Sequence, residues 1–277
     1  MSIVIPVHNE KDSLPILMSE LARVVETIPY PLEVLFVDDV SNDGSSGVLD
    51  YFQSEYVFVR ALHLDKRGGQ TGCYQRAFQQ ARGKYIVRID SDLQDDPRDL
   101  AQFLPYFEQD YDLVMGLREL RKHRKLLRAC SLLYDSLVVF LFDSPLHTNT
   151  SSFVAFKAEH VRGIRFKKND HRYLPLISLH RGAKKVKEVV VVNRERQFGS
   201  SKYRALQKVI LGVPEVIYFF LRMSLGYYSV EKQPIPVTVE RRESNEDSTD
   251  IGGIGTDRVE YRPNPSRGQT SGPSGTA

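Results

Sequence analysis

The chain has 277 residues, is 41% hydrophobic and carries a formal net charge of +3. That is enough apolar chain to bury a core as one domain or one and a half, and so mild a charge does not suggest a nucleic-acid binder. Two cysteines, Cys73 and Cys130, argue against a disulfide scaffold and fit a reducing cytosol. Ser2 to Val7 already reads as a strand, so no signal peptide is expected before the fold. No stretch reaches the roughly 18 uninterrupted apolar residues of a membrane span. The nearest, Val209 to Leu221, contains a proline and a glutamate.

SIVIPV (2–7) is a short apolar run closed by His8-Asn9-Glu10. Leu14, Leu17, Leu21, Val24, Val25 and Ile28 then recur at helical spacing. EVLFV (33–37) is a second strand ending in Asp38-Asp39, and YVFVRALHL (56–64) a third. A helix is expected from Gln70 to Ala81, a fourth strand in KYIVRID (84–90), a helix opened by Pro97, and a fifth strand in YDLVMGL (111–117). Strands alternating with helices imply an α/β fold with a mainly parallel, doubly wound sheet and helices on both faces. Ligands of such sheets bind beyond the carboxyl ends of the strands. His8-Asn9-Glu10, Asp38-Asp39 and Asp90-Ser91-Asp92 all fall there.

The second half differs in character. Residues 124–142 read as one long helix, basic at its start and apolar later. SSFVAF (151–156) and KKVKEVVVVNRE (184–195) look like strands, with HRYLPLISLH (171–180) as a helix between them. After QFGSSKY (197–203) comes a helix-prone stretch to about Tyr228, interrupted by Gly212-Val213-Pro214. From Glu231 onward Gly, Ser, Pro and Thr dominate, and disorder is expected.

The acidic run DSDLQDDPRD (90–99) carries chemistry. Asp90 and Asp92, one residue apart after a strand, can both reach a hard divalent cation, and oxygen ligands suit Mg²⁺ or Mn²⁺. Gln94 adds a neutral oxygen. Asp95, Asp96 and Asp99 read better as helix-start residues. Asp38 is placed to accept from a base or ribose donor, while an Asx-turn fits Asp43 better than Asp38. Lys66-Arg67-Gly68-Gly69 precedes a helix and offers a positive helix end for phosphate.

In combination, SIVIPVHNE, EVLFVDDVSNDGS, GGQTGCYQRAFQQARGKYIVRIDSDLQDDP and HRYLPLISLHRGAKKVKEVVVVNRERQFGSSKY resemble the inverting family-2 glycosyltransferases. More narrowly they are similar to the polyprenyl-phosphate and dolichyl-phosphate sugar (mannose or glucose) synthases, over roughly residues 2–225. The resemblance implies a GT-A, Rossmann-like fold, a GDP- or UDP-sugar donor, Mg²⁺ or Mn²⁺, and a polyprenyl-phosphate acceptor. Carried onto this chain, Pro6, His8, Asn9, Glu10, Asp38, Asp39, Gly69, Gln70, Asp90 and Ser91 would line the donor site. Asp90, Asp92 and Gln94 would hold the metal and diphosphate, and Asp92, Arg118, Arg128, Ser131, Arg196 and Lys202 are the catalytic candidates. Several positions depart from the family pattern. His8 stands where an aromatic is usual, Arg67 replaces an Asn, Asn193 a His, and Ser152 and Val154 replace an acidic residue and an Arg.

The acceptor side has its own signal. RELRKHRKLLR (118–128) holds six Lys or Arg against one Glu. A solvated basic face accounts for most of these, but guanidinium forks suit phosphate oxygens. A basic surface beside an apolar helix also suits an anionic membrane. The expected division is a catalytic domain over 1–203, with its donor half to about 118. A membrane-surface or partner-binding helical segment would follow over 204–230, and a tail over 231–277. The chain would act peripherally at the cytoplasmic membrane face, alone or with a small membrane partner, and without nucleic acid. Two alternatives remain at this level: a family-2 enzyme acting on a glycan or other soluble acceptor, and a non-catalytic nucleotide-binding protein.

Overall fold

Side chains along the strands alternate between two buried layers, and that alternation sets the architecture. A computed structural model of the chain describes residues 1–118, 136–147, 151–192, 194 and 205–229, with only the backbone at 118 and 205–211. Seven strands form one sheet in the order β3-β2-β1-β4-β6-β5-β7. They are β1 (Ser2–Val7), β2 (Glu33–Asp38), β3 (Val59–His63), β4 (Tyr85–Arg88), β5 (Leu113–Arg118), β6 (Val154–Lys157) and β7 (Val186–Val191). Only β6 runs against its neighbours; it lies antiparallel between β4 and β5, and β5 is parallel to β7. The expected mainly parallel sheet is therefore present, with one reversed strand set into it.

Ile3, Ile5, Val34, Phe36, Tyr85 and Val87 face one core, with α1 (Leu14–Thr27), α2 (Ser45–Glu55) and the aromatic residues Phe103 and Phe107. Val4, Leu35, Val37 and Ile86 face the other, with α3 (Gly69–Gln80). The expected helix after Pro97 is split into a 3-10 turn (Pro97–Gln102), capped by Asp96, and a short helix (Leu104–Glu108) opened by a second proline, Pro105. Residues 136–142 are helical. The remainder of the helix expected over 124–142, the loop 197–203 and the tail 231–277 lie outside the described residues.

The helix Ala205–Ser224 runs through Gly212-Val213-Pro214 without the expected interruption. Val216, Phe219 and Met223 point into the second core, and Tyr173 stacks on Phe219 at 4.2 Å. Its firmest tie is ionic. Asp170, fully buried, accepts from Arg222 at 2.7 and 3.2 Å and from the Tyr228 hydroxyl at 2.7 Å. Removing one member of a buried pair leaves the other charge uncompensated. Asp170→Ala is therefore expected to lower unfolding free energy by about 3–5 kcal/mol in urea titrations. A loss under about 1 kcal/mol would mean the pair does not hold the helix.

Candidate donor site at the strand ends

β1 and β4 pair only through Ser2, Ile3 and Val4, whereas β1 stays paired with β2 to Val7. Ile89 N still donates to Val4 O, so the next backbone groups facing β4 belong to Pro6. Proline has no N–H to continue a ladder. Its carbonyl instead accepts from Ser91 Oγ at 2.9 Å. The two strands part here, at the point where strand order reverses, which is where open α/β sheets bind ligands.

On the β1–β2 side the loops are knitted together. Asn9 N donates to Ser41 Oγ at 3.0 Å, Asn42 N to Asn9 Oδ1 at 2.9 Å, and Glu10 N to Ser45 Oγ at 3.0 Å. His8 Nδ1 donates to Asp39 O at 2.9 Å. Asn9 and Val40 both have left-handed backbones, φ 57° and 55°. For a β-branched residue such as Val40 this is strained, and strain of this kind clusters at binding sites.

Asp38 and Asp39 are buried. Asp38 accepts from Ser41 N at 3.1 Å, Ser46 Oγ at 2.6 Å and His63 Nδ1 at 3.2 Å. Burial raises its pKa, but those donors outweigh burial and hold it below the usual range. The Asx-type contact expected of Asp43 thus occurs at both residues, since Asp43 accepts from Ser45 N at 2.9 Å. Asp39 Oδ1 accepts from Gly68 N at 2.6 Å and Gly69 N at 3.1 Å. The anion at the start of α3 is thus the protein's own carboxylate, where the sequence suggested a phosphate. Gly69 needs its freedom there, with φ +63°.

On the β4 side the turn hinges on Leu93. Its backbone is left-handed, φ 63°, and its side chain is fully buried, so Asp92 and Gln94 flank an inward-pointing residue. Gln70 Nε2 lies 3.5 Å from Asp90 Oδ1, and Gln94 N donates to Asp92 Oδ1 at 3.2 Å. The donor set here is hard oxygen throughout, which fits Mg²⁺ or Mn²⁺. Asp95 accepts from buried Ser152 at 2.6 Å. Burial raises the Asp96 pKa, but Arg98 and Arg194 bring it down to about 2. Among the described residues, Asp112, Glu159 and His160 also bring three ligand-type atoms within 4.8 Å of one another. They lie at the opposite strand ends, where the Lys157 ammonium sits 2.8 Å from Asp112 and balances its charge.

Arg194 escaped the sequence reading. Its N–H donates to Gln94 O at 2.9 Å, and its guanidinium pairs with Glu20 at 2.8 Å and Asp96 at 2.6 Å. The only available signal was an arginine two residues before Arg196. Arg118 ends β5 beside Val191 of β7, while Arg128, Ser131, Arg196 and Lys202 lie outside the described residues.

The sequence profile described as Glycosyl transferase family 2 matches residues 2–170. The chain belongs to glycosyl transferase family 2. Among similar members, undecaprenyl-phosphate 4-deoxy-4-formamido-L-arabinose transferase of Pectobacterium atrosepticum is 29% identical over 76% of this chain and 64% of its own length. Dodecaprenyl-phosphate galacturonate synthase of Rhizobium johnstonii is 28% identical over 79% and 67%. The chain thus spans about two thirds of these proteins. Mycobacterium tuberculosis glucosyl-3-phosphoglycerate synthase, solved with Mn²⁺ and UDP-glucose, superposes with a TM-score of 0.60 at 16% identity, covering 79% of this chain and 78% of that one. Mannosyl-3-phosphoglycerate synthase of Rubrobacter xylanophilus gives 0.58 at 18%, covering 85% and 77%. The family's GT-A fold is the one seen here.

Next to the first turn of α3, His171 Nδ1 is hydrogen-bonded to Thr71 Oγ1 at 2.8 Å. Burial, reinforced by Arg88 and Arg172, lowers the His171 pKa from 6.5 to about 3. Between those values the unfolded chain takes up a proton that the folded ring refuses. This contribution is therefore intact above about pH 6.5 and is lost as pH falls toward 3, at up to about 1.4 kcal/mol per pH unit. His171→Asn should flatten the pH dependence of urea unfolding in that window. An unchanged slope would assign it to other groups.

Proposed function

We propose that the chain transfers a sugar, with inversion, from a GDP- or UDP-sugar to a polyprenyl phosphate at a membrane surface. The observation that carries this reading is the convergence at the β1–β4 crevice. The knitted β1 and β2 loops form one side, Asp90-Ser91-Asp92 the other, and Arg194 is fixed to Gln94 and Asp96 at the threshold of 195–204. Relatives named for undecaprenyl and dodecaprenyl phosphate support the acceptor class.

Pro6, His8, Asn9, Glu10, Asp38 and Asp39 would line the nucleoside side, with Gly69, Gln70, Asp90 and Ser91 toward the diphosphate. Asp90, Asp92 and Gln94 would hold Mg²⁺ or Mn²⁺, which when bound supplies positive charge to the leaving diphosphate. Arg118, Arg128, Ser131, Arg196 and Lys202 would position the acceptor phosphate, in line with the anomeric carbon. A phosphate is already an anion near neutral pH and needs no protein base, whereas a sugar hydroxyl needs one. The nearest carboxylates suit the phosphate better. Asp96 is held near pKa 2 by its arginines, and Asp95 is closed in under Ser152.

The outer face of the helix Ala205–Ser224 exposes Ile217, Tyr218 and Leu221, with Leu225 just beyond. Phe142 packs on Phe219 and Phe220, which brings residues 136–142 and the exposed Phe140 alongside. No helix of the described residues is long and apolar enough to cross a membrane. A face of this kind suits lying on a surface.

Two measurements test the reaction. Asp92→Ala should abolish turnover of a nucleotide sugar with a short polyprenyl phosphate while retaining the wild-type melting temperature. Arg196→Ala should lose about tenfold to a hundredfold in acceptor kcat/KM, as expected for one charge-assisted contact, with donor affinity little changed. Full activity in excess chelator, or a product glycosylated on a sugar hydroxyl, would overturn the reading. Membrane attachment has its own test in flotation with anionic liposomes. Binding is expected at low salt and should weaken as salt rises. Protein left at the bottom of the gradient at low salt would point to a soluble acceptor.

A further inference from the structure

Arg88 has no part in the reaction as outlined, yet it is the last residue of β4 and lies two residues before Asp90. It is only 6% exposed. Its Nη1 donates to His171 O at 2.7 Å, its guanidinium covers the Tyr74 ring at 5.0 Å, and its Nε has no hydrogen-bond partner. Among the described residues no carboxylate forms an ion pair with it. A buried cation without a direct partner is costly, so its balance must come at longer range. The neighbouring imidazole, His171, is neutral near pH 7 and adds no second positive charge. Asp90 and Asp95 share its surroundings, since both act on the same buried Tyr74 hydroxyl as Arg88 and in the opposite sense.

We propose that Arg88 is a positioning residue that makes loading of the divalent cation depend on the donor. Its fixed charge adds positive potential to the Asp90 region and so opposes a bare, doubly positive ion there. A nucleoside diphosphate arriving with its cation is net negative, and the same charge attracts it. The inference rests on the donor-site reading above and adds a consequence that packing alone does not produce. Neutralising Arg88 should move two affinities in opposite directions.

Titration calorimetry on the full chain provides the test, first with Mn²⁺ alone, then with UDP and GDP at saturating Mn²⁺. In Arg88→Met, Mn²⁺ alone should bind about threefold to tenfold more tightly, and the nucleotide that wild type prefers should bind more weakly by a similar factor. Arg88→Lys, which keeps the charge, should stay close to wild type in both. Methionine is an apolar replacement of similar length, a kind of exchange that buried charges often tolerate. If it does not fold, Arg88→Gln, neutral and still able to donate to His171 O, must give the same crossed change. A parallel loss of both affinities, or no change in either, overturns the inference while leaving the donor site intact. A wild-type chain that binds no Mn²⁺ with either nucleotide removes the donor-site reading and this inference together.

Discussion

The parting of β1 from β4 after Val4 is the constraint on which the rest of the site depends. A parallel ladder continuing to Val7 would close the crevice with backbone hydrogen bonds. Pro6 prevents it by lacking the one donor that would be needed, and Ser91 occupies the freed carbonyl. The same contact fixes the middle residue of Asp90-Ser91-Asp92 against β1. The acidic motif is thereby anchored to β1 through its neutral member, and Asp90 and Asp92 flank that anchor.

So many carboxylates at one edge of a sheet would repel one another if all served the same purpose. The structure divides them. Asp38 and Asp43 organise the β2 loop, Asp39 holds the start of α3, Asp96 binds two arginines, and Asp99 accepts from Val192 N at 2.6 Å. For Asp38, Asp43 and Asp96 these donors outweigh burial and hold the carboxyl below its usual range. Asp90 and Asp92 sit beyond the strand end, at the place proposed for the cation and the diphosphate.

The strands and their ends were legible because each depends on local pattern: alternating burial, a 3.6-residue repeat, and polar residues closing an apolar run. The roles of individual acids were not. Nothing near Asp39 in sequence indicates Gly68, 29 residues away, and nothing near Gln94 indicates Arg194. The reversed strand β6 was hidden for a similar reason, since direction is set by partners and not by composition. Pro214 misled in the other direction. Proline disfavours helix interiors, but here Val216, Phe219 and Met223 bury enough surface beyond it to carry the helix through.

Burial of that helix has a consequence for the donor side. Asp170 is bound by Arg222 and Tyr228, and Arg172 pairs with Glu215 at 3.1 Å, so the helix grips the residues on both sides of His171. His171 in turn bonds Thr71 in the first turn of α3 and offers its carbonyl to Arg88. Thr71 follows Gly69 and Gln70, whose neighbours are Asp39 and Asp90. The path from the apolar outer face of the helix toward the acidic motif therefore runs through one buried and one part-exposed ion pair and short hydrogen bonds. It ends on the long 3.5 Å contact of Gln70 with Asp90. A displacement of the helix large enough to break the Asp170 pair would expose an uncompensated charge, so the helix and the donor site are expected to hold their geometry together or lose it together.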